Sequence, residues 1–294
     1  MRIVRWLLLI ALIGAGPLWA GDTHEDHREL FGLSLTEGWL DPTVHSHLSP
    51  RGTPYIHPFR IEPAFTRRDL LLDYSYHNTA DEDEQEVEAE LEWAFTRRLG
   101  LVLEVPYVCL SGDEDSGSGF GNLAVSPRVL LAEYERFLLA FSFEVEAPTG
   151  ETEHGIAEDE TAIAPSLSTW MDLGDWWVMN GQFGIEHGTE SNDSELFLRA
   201  SLGHTLATQN GSDAHHAADH HAHGLPPGFL SVILEADLAV GLSGEEDGDW
   251  TAEGLLGVYY GLRENLDVRA AYVFPLSASQ ELDSGLTAGL IQHF

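Results

Sequence analysis

The sequence predicts an all-β chain: a transmembrane, antiparallel, up-and-down β-barrel of about 12 strands with an irregular N-terminal segment. Three observations carry this expectation. From residue 68 onward the dominant hydrophobic period is two, the period of a strand with one apolar and one polar face. Many of these runs reach ten residues or more, longer than the five or six usual in soluble sheets and enough, when tilted, to cross a bilayer. The connections alternate between tight turns and longer acidic loops, as in a barrel with one short-turn rim.

Taken in chain order, residues 1–20 come first. Arg2 and Arg5 precede an apolar core from Trp6 to Ala15, and Leu18-Trp19-Ala20 ends on a small residue. This is the pattern of a secretory signal peptide cleaved after Ala20, and the apolar run is too short for a comfortable spanning helix. Export into the outer membrane of a Gram-negative bacterium is the expectation. Cys109 is the only cysteine, which excludes an internal disulfide, and Gly21 rather than a cysteine directly follows Ala20, which argues against a lipoprotein. Residues 21–66, with Pro42, Pro50, Pro54, Pro58 and Pro63, are expected to form a plug or a periplasmic extension.

Residues 67–294 are expected to form the barrel. Twelve alternating runs fall at 68–79, 85–97, 99–110, 121–132, 136–148, 161–172, 175–187, 194–206, 228–243, 250–262, 265–276 and 283–294. The clearest places Glu86, Glu88, Glu90 and Glu92 on one face and Val87, Ala89, Leu91 and Trp93 on the other. With both barrel ends periplasmic, the connection after each even-numbered run faces the periplasm. These are the tight ones: 96–100, 133–135, 173–175 and 263–265. The opposite rim carries acidic stretches at 79–84, 111–120, 149–160 and 244–249. Arg67, Arg68, Arg97, Arg98, Arg136 and Arg263 gather at the tight-turn rim, so the barrel is expected to be basic at one end and acidic at the other.

The inward face then defines the candidate site. Glu86, Glu88, Glu90, Glu92, Glu144, Glu146, Glu186, Glu235 and Asp237 are candidate lumen acids, with Arg199 and Arg269 among the candidate lumen bases. The chain carries 49 acidic residues against 14 basic ones, all arginine, for a formal charge of −35. Such a chain repels nucleic acid and attracts cations. A carboxylate-lined lumen favours cations over anions. The alternative is a sealed lumen filled by paired acids and arginines, a structural or interaction barrel whose acidic loops bind Ca²⁺ or Mg²⁺ and bridge to lipopolysaccharide. No nucleophile elbow, H-E-x-x-H or phosphate loop is present, so the expectation is no enzyme.

One connection breaks the pattern. Residues 207–227 follow the eighth run, on the tight-turn rim, yet are long, and residues 213–224 read D-A-H-H-A-A-D-H-H-A-H-G. If helical, His216 and His220 form an i,i+4 pair with His223 a turn further, and His215 and Asp219 form another. With His221, these groups suit Zn, Cu, Ni or Co. His24, His27, His45, His47 and His57 are expected on the same side. Either this is an exchangeable metal-collecting loop or a flexible low-complexity insert.

Several stretches resemble a family of outer-membrane proteins, the phenol-degradation meta-pathway family of porin-like transporters. They are F-G-N-L-A-V-S-P-R-V-L-L (120–131), E-V-E-A-P-T-G (144–150), F-L-S-V-I-L-E-A-D-L (229–238), R-G-T-P-Y-I-H-P-F beginning at 51, and the terminal aromatic. The resemblance covers about residues 50–294 and implies passive passage of small molecules, in some members hydrophobic aromatics. Phe294 with Gly289 matches the C-terminal strand read by the barrel-assembly machinery; Gln292 departs from it.

Overall fold

The structure, a computed structural model, describes residues 37–44, 46–79, 82–112, 116–206, 227–244, 247–277 and 282–294. It contains thirteen strands: β1 (Arg68–Thr79), β2 (Glu82–Ala94), β3 (Leu99–Gly112), β4 (Ser116–Phe120), β5 (Leu123–Tyr134), β6 (Phe137–Ala147), β7 (Ala162–Gly174), β8 (Trp177–Gly188), β9 (Ser194–Leu206), β10 (Leu230–Ser243), β11 (Trp250–Arg263), β12 (Leu266–Pro275) and β13 (Leu282–His293). Every pairing among the described strands is antiparallel; all join chain neighbours except β3 with β5, which passes over β4, and β1 with β13, which closes the ring. Twelve strands form the closed barrel and β4 is additional.

β4 is a departure from the expected loop at 111–120. It pairs with β3 from Tyr107 to Ser111, and β5 takes over the same strand from Glu104 down to Leu99. The break between them falls at Gly121-Asn122. A Cβ on Gly121 would lie 2.9 Å from Pro106 Cγ, so only glycine lets the chain pass there. The Asn122 side chain turns away to accept hydrogen bonds from the Thr149 and Gly150 amides and to donate one to the Glu158 carbonyl. The loop beyond β6 is thereby tied to the barrel wall.

Single-residue alternation fixes which face is which. Leu234 is 51 % exposed and its neighbour Ile233 is 1 % exposed. Leu70, Leu72 and Tyr74 are likewise exposed around buried Leu71. A shift of one residue would exchange the two faces, so the alternation sets the register.

The inward face is not uniformly polar. Toward the tight-turn rim, Leu71, Leu130, Leu138, Ala140, Trp170, Val178, Ile233, Tyr259 and Ile291 form a buried apolar cluster with Tyr55, Ile56, Ala64 and Phe65 of the N-terminal segment. The segment therefore lies against the inner wall. It enters through a turn in which Ser49 Oγ accepts from the Arg51 and Thr53 amides, Gly52 adopts φ +79°, and Leu48 bridges to Pro54. Burying a side chain such as Ile56 is worth about 1.5–3 kcal/mol, so several such residues hold the segment in place.

Candidate functional site

The interior carboxylates come from alternate positions of β2 and from the residues that face them. The register sets Glu88 opposite Asp73, Glu90 opposite Glu104, and Glu92 opposite Asp69. Together with Glu144 of β6, Arg199 of β9 and Arg269 of β12, residues Glu88, Glu90, Glu92 and Glu104 line a cavity of about 210 Å³, floored by residues 57–63. Glu88, Glu104 and Glu144 also bound a second cavity of about 380 Å³, which includes Glu84, Glu86 and Glu146. Glu146 and Glu158 are shared with a third, of about 310 Å³, walled by Glu160, Glu186, Asp193 and Glu195. The three share walls in series, from the loop rim to the N-terminal segment.

The arginines divide this set of acids. Arg269 donates to Asp73 through Nε at 3.0 Å and through its terminal nitrogen at 2.5 Å, and also to the Pro58 carbonyl. Arg199 donates to Asp237 at 3.1 Å and to the Arg60 carbonyl at 3.0 Å. Arg60 in turn pairs with Glu253. Glu235 accepts the Phe59 amide at 2.7 Å and the Arg60 amide at 3.2 Å. Arg128 donates to the Phe65 carbonyl and pairs with Glu62 and Glu92. Glu235, Asp237, Arg199 and Arg269, expected simply to line the lumen, thus also hold the segment at residues 58–60. Among the described residues no salt bridge reaches Glu86, Glu88, Glu104, Glu144, Glu146 or Glu186.

A second polar group lies where β1 meets β13. Asp69 sits directly opposite His293 in the strand register, and His293 Nδ1 is 2.8 Å from Asp69 Oδ1. His293 Nε2 is 2.8 Å from Asp267 Oδ2, which also accepts the Tyr259 hydroxyl at 2.9 Å. From the N-terminal segment, His47 Nε2 and His57 Nε2 each approach Asp69 to 3.1 Å. Burial pushes His57 down to about 4 against the opposing pull of Asp69, and it lowers His47 as well. Both rings are therefore neutral at ordinary pH, each able to donate one N–H to the carboxylate. Periodicity did not single out this cluster, because its members are 22 and 224 positions apart. The available signals were a histidine next to the C-terminal aromatic and an aspartate opening the first strand.

On the loop rim, Glu160 accepts from the Glu190 and Ser191 amides and from Ser191 Oγ, at 2.7, 3.0 and 2.7 Å. These bonds hold its pKa below the usual carboxylate range. His215, His216, Asp219, His220, His221 and His223 lie outside the described residues, as does the 1–20 segment. Phe294 is half-exposed at the end of the chain, and Gln292 donates to the Asn265 carbonyl.

A family model described as "MetA-pathway of phenol degradation" matches residues 73–272. The fold is similar to that of an outer membrane channel from Pseudomonas putida F1, with TM-score 0.58, 14 % identity, 81 % of this chain and 100 % of that chain covered. It is similar also to the NanC porin, with TM-score 0.50, 7 % identity, and 76 % and 99 % covered. At such identities the likeness is one of fold. No curated protein matches the chain.

Proposed function

The chain belongs to the MetA-pathway of phenol degradation family and has a porin-like barrel; from that premise we propose that it sits in the outer membrane and passes small solutes passively, favouring cations. The observation that carries this reading is the series of three cavities whose walls share Glu88, Glu104, Glu144 and Glu146. Carboxylates without arginine partners in a confined space raise the local cation concentration and oppose anions. Lipid surrounds the exposed apolar face, the acidic loops meet lipopolysaccharide through divalent cations, and Phe294 is the handle for the barrel-assembly machinery.

Planar-bilayer recording of the refolded full chain tests the reading. Discrete conductance steps with a cation-shifted reversal potential are expected, and the shift should shrink in the Glu88→Gln, Glu104→Gln, Glu144→Gln triple variant. Silence, or anion selectivity, rejects it. One observation favours a second reading, a sealed structural barrel. Residues 53–66 fill the tight-turn half of the interior, anchored by Thr53 to Asp172 at 2.7 Å and by Glu62 N to Gln182 at 3.2 Å. Silence of the intact chain that gives way to conductance when residues 53–66 are released would select it.

The 207–227 connection is proposed as a periplasmic loop that binds Zn, Cu, Ni or Co through His215, His216, Asp219, His220, His221 and His223. The supporting point is composition: five histidines and two aspartates in twelve residues. Calorimetry with zinc on the intact protein and on a 213–223 deletion tests it. Equal zinc uptake by both proteins rules the loop out.

A further inference from the structure

We propose that His47, His57 and Asp69 form a divalent transition-metal site that fastens the N-terminal segment to the inner barrel wall. This site is separate from the histidine-rich loop. One ligand atom from each residue lies within 4.8 Å of the others, and all three residues are buried. The imidazole-to-carboxylate separations are 3.1–3.3 Å. Bonds of ~2.0–2.1 Å in a tetrahedron put neighbouring ligands ~3.3–3.4 Å apart, so the imidazole–carboxylate edges open slightly and the imidazole–imidazole edge closes from within 4.8 Å. Two neutral imidazoles and one carboxylate are a donor set for Zn, Co, Ni or Cu, with a fourth position left for water.

The surroundings suit this role. Asp69 is held by His293, which is held by Asp267, which is held by Tyr259. A ligating carboxylate fixed by outer partners is typical of metal sites. In the other group of ligand type, Glu62, Glu90 and Glu92, Arg128 already pairs with Glu62 and Glu92, and three carboxylates without an imidazole are a poorer donor set for these metals.

Position gives the site its consequence. His47 and His57 flank the turn at 49–53, and Asp69 opens β1 at the seam with β13. An ion bound to all three cross-links the segment to the strand that closes the ring. Removing the ion would loosen residues 47–57 while leaving the twelve-strand ladder intact.

The test uses the full chain, folded in detergent, with residues 213–223 deleted so that the loop contributes no ligands. One equivalent of zinc should bind by calorimetry, and cobalt should give the visible absorption of a low-coordinate site. His47→Gln and His57→Gln should each weaken zinc by at least roughly tenfold, taking outer-ligand effects of 10–100-fold as the floor. Heat-dependent electrophoretic mobility verifies that each variant is a folded barrel, and two single variants guard against one failing to fold. Trypsin cleavage after Arg51 should be slow with zinc and several-fold faster with EDTA. No zinc uptake by the deletion protein, unchanged affinity in both folded variants, or cleavage indifferent to EDTA would each overturn the proposal. None of these readouts depends on whether the barrel conducts.

Discussion

Arg128 shows how burial decides what a charge is worth in this molecule. Its guanidinium is buried between Glu62 and Glu92, and Glu92 is itself buried. Removing one partner of a buried pair leaves an uncompensated charge, at a cost of about 3–5 kcal/mol. Arg51 pairs with Glu135 at 3.6 Å in a largely open setting, where such a pair is worth about 0–1 kcal/mol. Arg128→Ala should therefore lower the urea midpoint of the reconstituted barrel strongly and Glu135→Ala hardly at all; equal shifts would contradict the burial argument. Glu160 gives the corresponding pH prediction. Its pKa is lowered by the Ser191 and Glu190 hydrogen bonds. The contact therefore stabilises the loop above the ordinary carboxylate pKa and is lost as pH falls through the lower folded value. Amide protection at Glu190 and Ser191 should drop across that acidic window, and the drop should be absent in Glu160→Gln. Neither effect could be read from the sequence alone, because Glu62 and Arg128, or Glu160 and Ser191, are brought together only by the closed barrel.

At the scale of elements, local alternation carried most of the fold. β1 and β9 run over 68–79 and 194–206, the ranges that period two marks, because each keeps a mainly apolar face over its central residues, Leu70, Leu72 and Tyr74 on β1 and Leu196, Leu198 and Leu202 on β9. β2 begins three residues earlier than the alternation suggests, at Glu82. There Thr79 Oγ1 donates to the Glu82 carbonyl, and Tyr76 and Asn78 donate to Asp83, which recruits the acidic stretch into the strand. β4 was illegible, since S-G-S-G-F offers no apolar alternation and its pairing comes from β3. The N-terminal segment was legible as irregular, by its prolines, but its docking rests on contacts more than a hundred positions away, such as Thr53 with Asp172 and Phe59 with Glu235. The strand ladder has its own pinch point at Gly184. A Cβ there would fall 2.3 Å from the Phe197 ring and 2.8 Å from the Pro165 carbonyl oxygen. The carbonyl is backbone and cannot swing aside, so Gly184→Ala should cost about 1–3 kcal/mol, as overpacking does. Refolding yield and urea midpoint check this, and an unchanged midpoint would mean that β7 and β8 separate more easily than their pairing implies.

For the whole molecule, charge and filling act on opposite halves of the same tube. The tight-turn half is packed with Trp170, Tyr259, Ile56 and Phe65, so a solute entering from the loop rim would meet that packing last. The loop-rim half is lined by carboxylates that outnumber their arginines, within a chain of net charge −35. On the proposed reading, selection would be electrostatic and would take place before the constriction. Electrostatic selection at a distance is screened by salt. The screening length is about 10 Å at 0.1 M and about 3 Å at 1 M, so it passes from spanning a cavity to reaching only the nearest carboxylate. The cation-to-anion permeability ratio should accordingly fall toward unity over that range in reversal-potential measurements. The triple glutamine variant at Glu88, Glu104 and Glu144 should start lower and vary less. A ratio that holds constant to 1 M would place selection at direct ion contacts in the packed half instead, and the open vestibule would then have no part in choosing what passes.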